Sequence, residues 1–118
     1  MHDPPFGQGH GQLLWLFSGT GEGPPLARAW LDRGWRGTVF VVGAGAALAY
    51  PPTDGLEVRV GSVGDQRALF GLLRTAGDRG QAPRWVVDAT HPFATRISAD
   101  LAAVCAELRQ PLLRVLRP

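Results

Sequence analysis

The sequence predicts an α/β fold: a Rossmann-like, three-layer domain with a five-stranded parallel sheet in the strand order 3-2-1-4-5. Two observations predict it. Short apolar runs alternate along the chain with segments of helical periodicity, an arrangement typical of parallel strands joined by right-handed crossovers. The chain of 118 residues is also long enough for one domain with a hydrophobic core, and its 45% apolar and 19% charged residues are typical of globular proteins.

The first half of the chain contains three predicted strands. Residues 13–17 are apolar throughout, which is typical of a strand buried on both faces of a parallel sheet. A helix follows from the proline pair at 24–25, where no backbone N–H is required, to Gly34, a residue type that commonly ends helices. Residues 38–42 are rich in β-branched side chains and predict the second strand, and the alternating residues 57–60 predict a third, edge strand.

The second half is predicted to contain two helices and two strands. Asp65 is expected to cap a helix, and residues 85–88 to form a fourth buried strand. Residues 90–93 are expected to begin the last helix, and residues 112–116 to form the fifth strand. The apolar stripes of the two helices are Leu69, Leu72, Leu73 and Ala76, then Ile97, Leu101, Val104 and Leu108.

Composition excludes several classes of function. The net charge is only +2 and the arginines are dispersed, so neither nucleic acid nor a membrane surface is an expected partner. No apolar run reaches the roughly 18 residues that span a bilayer. Residues 1–12, rich in Gly, Pro and His, lack the pattern of a signal peptide and are interpreted as a flexible lead-in. The single cysteine, Cys105, suits a reducing cytoplasm and is interpreted as a small core residue.

The candidate site lies at the carboxyl ends of strands 1 and 4. In a doubly wound sheet, ligands bind where the strand order reverses, and the order 3-2-1-4-5 makes these two strands neighbours there. The loop 18–23 after strand 1 and the loop 89–94 after strand 4 are then expected to face one crevice.

The first loop has the composition of an anion-binding turn. Gly19, Gly21 and Gly23 would let backbone N–H groups approach a phosphate, and the next helix adds its positive end. Ser18 and Thr20 supply hydroxyl donors, whereas Glu22 either caps the turn or accepts a hydrogen bond from a ribose or substrate. The spacing G-x-G-x-G differs from the dinucleotide fingerprint, so a tight turn without a ligand is the alternative.

The second loop, Asp88-Ala89-Thr90-His91-Pro92-Phe93-Ala94, has two interpretations. In the first, Asp88 only caps neighbouring backbone N–H groups, and Thr90 or His91 caps the following helix, with Pro92 at its first position. In the second, Thr90 and His91 face the crevice and contact a cofactor or an acidic substrate.

Three other chemistries fit poorly. Ser18, His91 and Asp88 could be imagined as a nucleophilic triad, but the G-x-S-x-G elbow is missing. The histidines are scattered and there is one cysteine, so no metal site is expected. A self-contained short-chain oxidoreductase would need a Tyr-x-x-x-Lys pair, but the chain has one tyrosine, Tyr50, and no lysine. No catalytic residue is identified.

Two motifs resemble the precorrin-6A reductase and cobalt-precorrin-6A reductase family. The loop 18–23 resembles its Gly-Gly-Thr-x-Glu loop, and residues 86–94 are similar to its most characteristic stretch. Residues 111–114 with Arg117-Pro118 resemble the end of its first domain. The family usually has glycine where Ser18 stands. The resemblance makes residues 13–118 an NADPH-binding domain and implies a second domain beyond Pro118, so that the chain is a piece of a longer protein or the product of a gene fragment.

The resemblance also implies a reaction in cobalamin biosynthesis. A hydride would pass from NADPH to a double bond of a tetrapyrrole, precorrin-6A or its cobalt form, to give the 6B product. The loop 18–22 would hold cofactor phosphates, and Thr90 would lie on the nicotinamide side. His91, Pro92 and Phe93 would line the substrate side, and Arg96 or Arg117 could pair with substrate carboxylates. The choice of NADPH as the cofactor rests on the resemblance, because neither an acid nor an arginine follows strand 2. The alternative is a non-catalytic nucleotide-binding module or degenerate half-enzyme.

Overall fold

The computed structural model describes residues 7–19 and 21–115, and their core is a five-stranded, all-parallel sheet. The strand order is β3-β2-β1-β4-β5, which confirms the predicted fold and topology. The elements are β1 (Leu13–Ser18), α1 (Gly23–Asp32), β2 (Arg36–Val41), α2 (Ala44–Ala47), β3 (Leu56–Val60), α3 (Gln66–Asp78), β4 (Trp85–Ala89), α4 (Thr95–Glu107) and β5 (Leu112–Arg114).

Each face of the sheet has its own hydrophobic core. Alternate residues of a strand point to opposite faces, and in β1 this places Leu14 and Leu16 in one core and Trp15 and Phe17 in the other. Helices α1 and α2 cover the first face, and α3 and α4 cover the second. Residues 13–17 of the strand are therefore all apolar, because both faces of the strand are buried. Cys105, only 1% exposed, packs in the second core as predicted.

Local signals set the ends of two helices. Gly34 follows α1 with a φ of +82°, and the amide of Trp35 donates to the Trp30 carbonyl at 3.1 Å, as glycine-terminated helices require. The Asp65 carboxylate accepts from the Ala68 amide at 2.9 Å and caps α3. Both ends agree with the sequence prediction.

The start of α4 differs from the prediction. The helix begins at Thr95, not within residues 90–93, and neither Thr90 nor His91 caps it. Instead, the Ala94 amide donates to the His91 carbonyl at 2.8 Å and closes a turn before the helix. Pro92 disfavours helical geometry at the residue before it, which explains why the helix cannot start at His91.

The described part of the predicted lead-in, residues 7–12, packs against the domain. The Gly9 amide donates to the Arg33 carbonyl at 2.9 Å, and the Trp35 indole donates to the Gly7 carbonyl at 2.8 Å. Trp35 is 3% exposed, and a Cβ on Gly9 would lie 2.5 Å from its ring. Close packing against an indole therefore holds this segment, and the sequence alone did not indicate it.

Candidate functional site

The tips of β1 and β4 meet at the carboxyl edge of the sheet. The two strands pair in parallel up to Ser18 and Ala89, and the Gly19 amide donates to the Ala89 carbonyl at 3.2 Å. A Cβ on Gly19 would lie 3.0 Å from the backbone nitrogen of His91. The loops after the two strands therefore touch, and glycine at position 19 permits this close approach.

A cleft of about 710 Å³ opens beside these tips. Of the residues proposed from the sequence, five line it: Ser18, Gly19, Gly21, Thr90 and His91. The remaining lining is mostly apolar and comes from strand tips and small residues, including Phe17, Phe40, Val41, Val42, Ala46 and Ala49. Among the described residues that line the cleft there is no arginine.

The other proposed residues lie elsewhere. Glu22 occupies the N-cap position of α1, without a capping hydrogen bond from its side chain, and does not line the cleft. Pro92, Phe93 and Arg96 are exposed outside the cleft lining. Thr20 and Arg117 fall outside the residues that the structure describes.

A buried hydrogen bond joins Ser18 to Tyr50, a residue that was not predicted to lie in the site. The Tyr50 hydroxyl donates to Ser18 Oγ at 2.6 Å. Burial raises the pKa of Tyr50, more than the Ser18 hydrogen bond lowers it, so the hydroxyl keeps its proton at neutral pH. A Cβ on Gly23 would overlap both hydroxyl oxygens, so the first residue of α1 packs directly against this pair.

The Asp88 carboxylate holds the second loop in place through hydrogen bonds from Thr90. This carboxylate, 3% exposed, accepts from the Thr90 amide at 3.0 Å and from Thr90 Oγ1 at 2.6 Å. Thr90 Oγ1 also lies 3.1 Å from Ser98 Oγ. A hydroxyl has one proton, so Thr90 donates to Asp88 and must accept from Ser98. The sequence interpretation of Asp88 as a cap of neighbouring backbone groups describes part of this network.

His91 and Phe93 form the outer surface of the second loop. The Phe93 amide donates to His91 Nδ1 at 3.2 Å, and the two rings lie 5.2 Å apart at 33°. Because Nδ1 accepts, the neutral imidazole carries its proton on Nε2. Phe93 is 87% exposed, an unusual state for a large apolar side chain.

A third loop, Gly61–Gly64 after β3, completes the cleft and was missed from the sequence. The Gly61 amide donates to the Val41 carbonyl at 2.8 Å, and the Gly64 amide donates to Ser62 Oγ at 3.1 Å. Gly61 directly follows the predicted strand 57–60, and this was the available signal, because the first loop also has a glycine near the end of its strand.

Comparison with known proteins assigns the family. The family model described as precorrin-6x reductase CbiJ/CobK matches residues 13–118. The chain belongs to this reductase family. It is 39% identical over 104 residues to the precorrin-6A reductase of Mycobacterium tuberculosis and 30% identical over 105 residues to the cobalt-precorrin-6A reductase of Synechocystis. These matches cover 87% and 89% of this chain.

The fold comparison agrees. A solved structure titled CobK precorrin-6A reductase superposes with a TM-score of 0.74 at 31% identity, over 91% of this chain and 39% of that one. The chain spans 38% of the length of each of the two reductases named above.

The cleft of this precorrin-6x reductase family member has the size and lining of a ligand pocket. Its volume lies within the roughly 300–1,000 Å³ of ligand pockets, and its lining is apolar with a few polar groups. A Cβ on Gly21 would meet no atom within 4 Å, so the backbone there is open to an anion, and the positive end of α1 lies beside it. No helix in the described ranges is long and apolar enough to cross a membrane.

Proposed function

We propose that this chain is the NADPH-binding part of a reductase that converts precorrin-6A, or its cobalt form, to the 6B product. The observation that carries the proposal is the contact between the two loops, with Gly19 packed against the backbone of His91 at the mouth of one cleft. This contact brings the glycine-rich loop and the histidine loop to the same cleft, which supports a pyrophosphate and a nicotinamide bound side by side.

The residues divide between the two ends of the cofactor. Ser18, Gly19 and Gly21, with Thr20 and Glu22 of the same loop, would hold the phosphates. The apolar wall near Val41 and Ala46 would cover the adenine. Thr90 and His91 would face the nicotinamide and the substrate. When bound, NADPH supplies the hydride.

The substrate side extends beyond the cleft. Pro92 and Phe93 offer an exposed apolar surface suited to the face of a tetrapyrrole, and Arg96 at the start of α4 suits its carboxylates. Arg117 remains a proposed partner from the sequence. In this arrangement the protein orients the two reactants and excludes water between them.

NADPH is proposed over NADH for two reasons. Val42 and Gly43 follow β2 where an acid would favour NADH through the ribose hydroxyls. On the next strand, the Arg59 guanidinium lies 5.8 Å from the centre of the Phe40 ring, which lines the cleft. Its ion pair with Glu57, at 3.4 Å, is half exposed and therefore weak, so the guanidinium is available to a 2′-phosphate.

A Gly19→Ala variant tests the proposal. We expect isothermal titration to show NADPH binding by the natural chain and at least a roughly tenfold loss in the variant, because the added methyl pushes the two loops apart. Gly71→Ala in α3 is the matched control, since its methyl would meet no atom within 4 Å. Absence of NADPH binding by the natural chain would overturn the proposal.

A nucleotide-binding module without catalysis is the second candidate. Turnover distinguishes the two candidates. If the chain is part of a reductase, the natural chain joined to the remaining part of a family reductase should consume NADPH when precorrin-6A is added. NADPH binding without such consumption would favour the module.

A further inference from the structure

We propose that Tyr50 is a positioning residue, which turns the Ser18 hydroxyl proton into the cleft so that Ser18 donates to a nucleotide phosphate. This inference rests on the proposed dinucleotide site and assigns a role to a residue outside both loops. Tyr50 follows α2 and reaches Ser18 across 32 positions of the sequence.

The contacts of Ser18 with Tyr50 and Gly23 leave its hydroxyl proton only the direction of the cleft. Ser18 is the last residue of β1, and its Oγ accepts the Tyr50 proton at 2.6 Å. Since a serine hydroxyl has one proton and one oxygen, the Ser18 proton must point away from Tyr50. Gly23 closes one side, because even a Cβ there would overlap the two oxygens. Ser18 lines the cleft, so its proton is directed into that space.

The start of α1 explains why a hydroxyl donor is needed here. Helix N-termini bind phosphates through their first amides, but Pro24 and Pro25 in the first turn have no N–H. The Gly19 amide already donates to the Ala89 carbonyl. The loop therefore offers fewer amide donors than other phosphate-binding turns. A hydroxyl at position 18 supplies one, and the hydrogen bond from Tyr50 makes it a stronger donor.

A double-mutant cycle on ADP binding tests the inference. By titration calorimetry, we expect Tyr50→Phe and Ser18→Ala each to weaken ADP binding roughly tenfold, the lower end of the effect of one hydrogen bond to a charged group. The double variant should bind ADP no more weakly than Ser18→Ala, because Tyr50 acts through Ser18. Binding of adenosine, which has no phosphate, should stay unchanged in all three.

Two controls exclude a loss of structure. Thr53→Val removes a hydroxyl from the same α2–β3 connection, where it donates to the Pro51 carbonyl, and should leave ADP binding unchanged. Ser18→Cys keeps the shape of the side chain, with a larger atom and a weak donor, and should bind ADP like Ser18→Ala. Circular dichroism of each variant verifies the fold.

Each other result overturns the inference in a distinct way. Unchanged ADP binding in Tyr50→Phe would exclude a role for this hydrogen bond. A further loss on adding Tyr50→Phe to Ser18→Ala, or weaker binding of adenosine, would show that Tyr50 acts through the shape of the cleft. If the natural chain binds neither ADP nor NADPH, the proposed function fails together with this inference.

Discussion

The two loops at the cleft use hydroxyl groups in opposite ways. Ser18 and Thr90 both lie at the ends of neighbouring buried strands and line the same hollow. Ser18 receives a proton from Tyr50 and can give its own to a ligand. Thr90 gives its proton to Asp88 and can only accept another. The neighbour of a hydroxyl, more than its position, therefore decides whether it can bind an anion.

The two loops also differ in the charge of the groups that lie near them. Beneath the second loop, the buried Asp88 carboxylate adds negative charge, and its influence reaches Cys105 in the core on the same face of the sheet. Burial, and then the charge of Asp88, raises the pKa of the Cys105 thiol to about 11. Both loops lead into helix N-termini, so the buried carboxylate beneath the second loop makes the first loop the better place for a phosphate. This asymmetry orients the proposed cofactor with its pyrophosphate at Ser18 and its nicotinamide at Thr90.

Removing Asp88 should have the largest effect on this contrast. We expect Asp88→Ala to lower the free energy of unfolding by about 2–3 kcal/mol, because the buried amide and hydroxyl of Thr90 lose a charged acceptor. Urea denaturation measures the change. Asp88→Asn keeps an oxygen acceptor and should lose less. An Asp88→Ala protein within about 0.5 kcal/mol of the natural chain would show that the network does not hold the second loop.

The sequence predicts the strands well because their signal is local. Residues 13–17 are apolar at every position, so burial on both faces could be inferred without knowing the partners. The start of α4 could not be inferred in this way. The prediction allowed either Thr90 or His91 to cap the helix, but the Asp88 carboxylate holds the Thr90 amide and hydroxyl.

The residues of the site, too, could be predicted only where the sequence signal is local. The glycines of the first loop and the histidine of the second lie within a few residues of strand ends, which allowed their placement at one edge. Tyr50 lies in a segment of small residues without periodicity, and its partner is 32 positions away. Only the packing of α2 against the sheet brings Tyr50 to Ser18, and no local pattern encodes that packing.

Removing the charge of Arg59, on the strand before the third loop, should show whether the cleft distinguishes NADPH from NADH. We expect Arg59→Ala to weaken NADPH binding roughly tenfold, the value of one charge-assisted hydrogen bond, and to leave NADH binding unchanged. Arg36→Ala, at the opposite end of the neighbouring strand β2, is the matched control and should affect neither. Titration with both nucleotides measures the difference. Equal losses for NADPH and NADH would exclude Arg59 as the partner of the 2′-phosphate.

The smallest expected change in binding comes from Thr90, and it tests the contrast most directly. Thr90→Val removes the hydroxyl with little change in shape. It should cost about 1 kcal/mol of stability, because Asp88 and Ser98 each lose a partner. ADP binding should stay within about twofold of the natural chain, since this hydroxyl has no proton to donate to a phosphate. Ser18→Ala, which should weaken ADP binding, is the matched comparison. A loss of ADP affinity in Thr90→Val as large as in Ser18→Ala would mean that both loops bind phosphate and that the cofactor does not lie in the proposed direction.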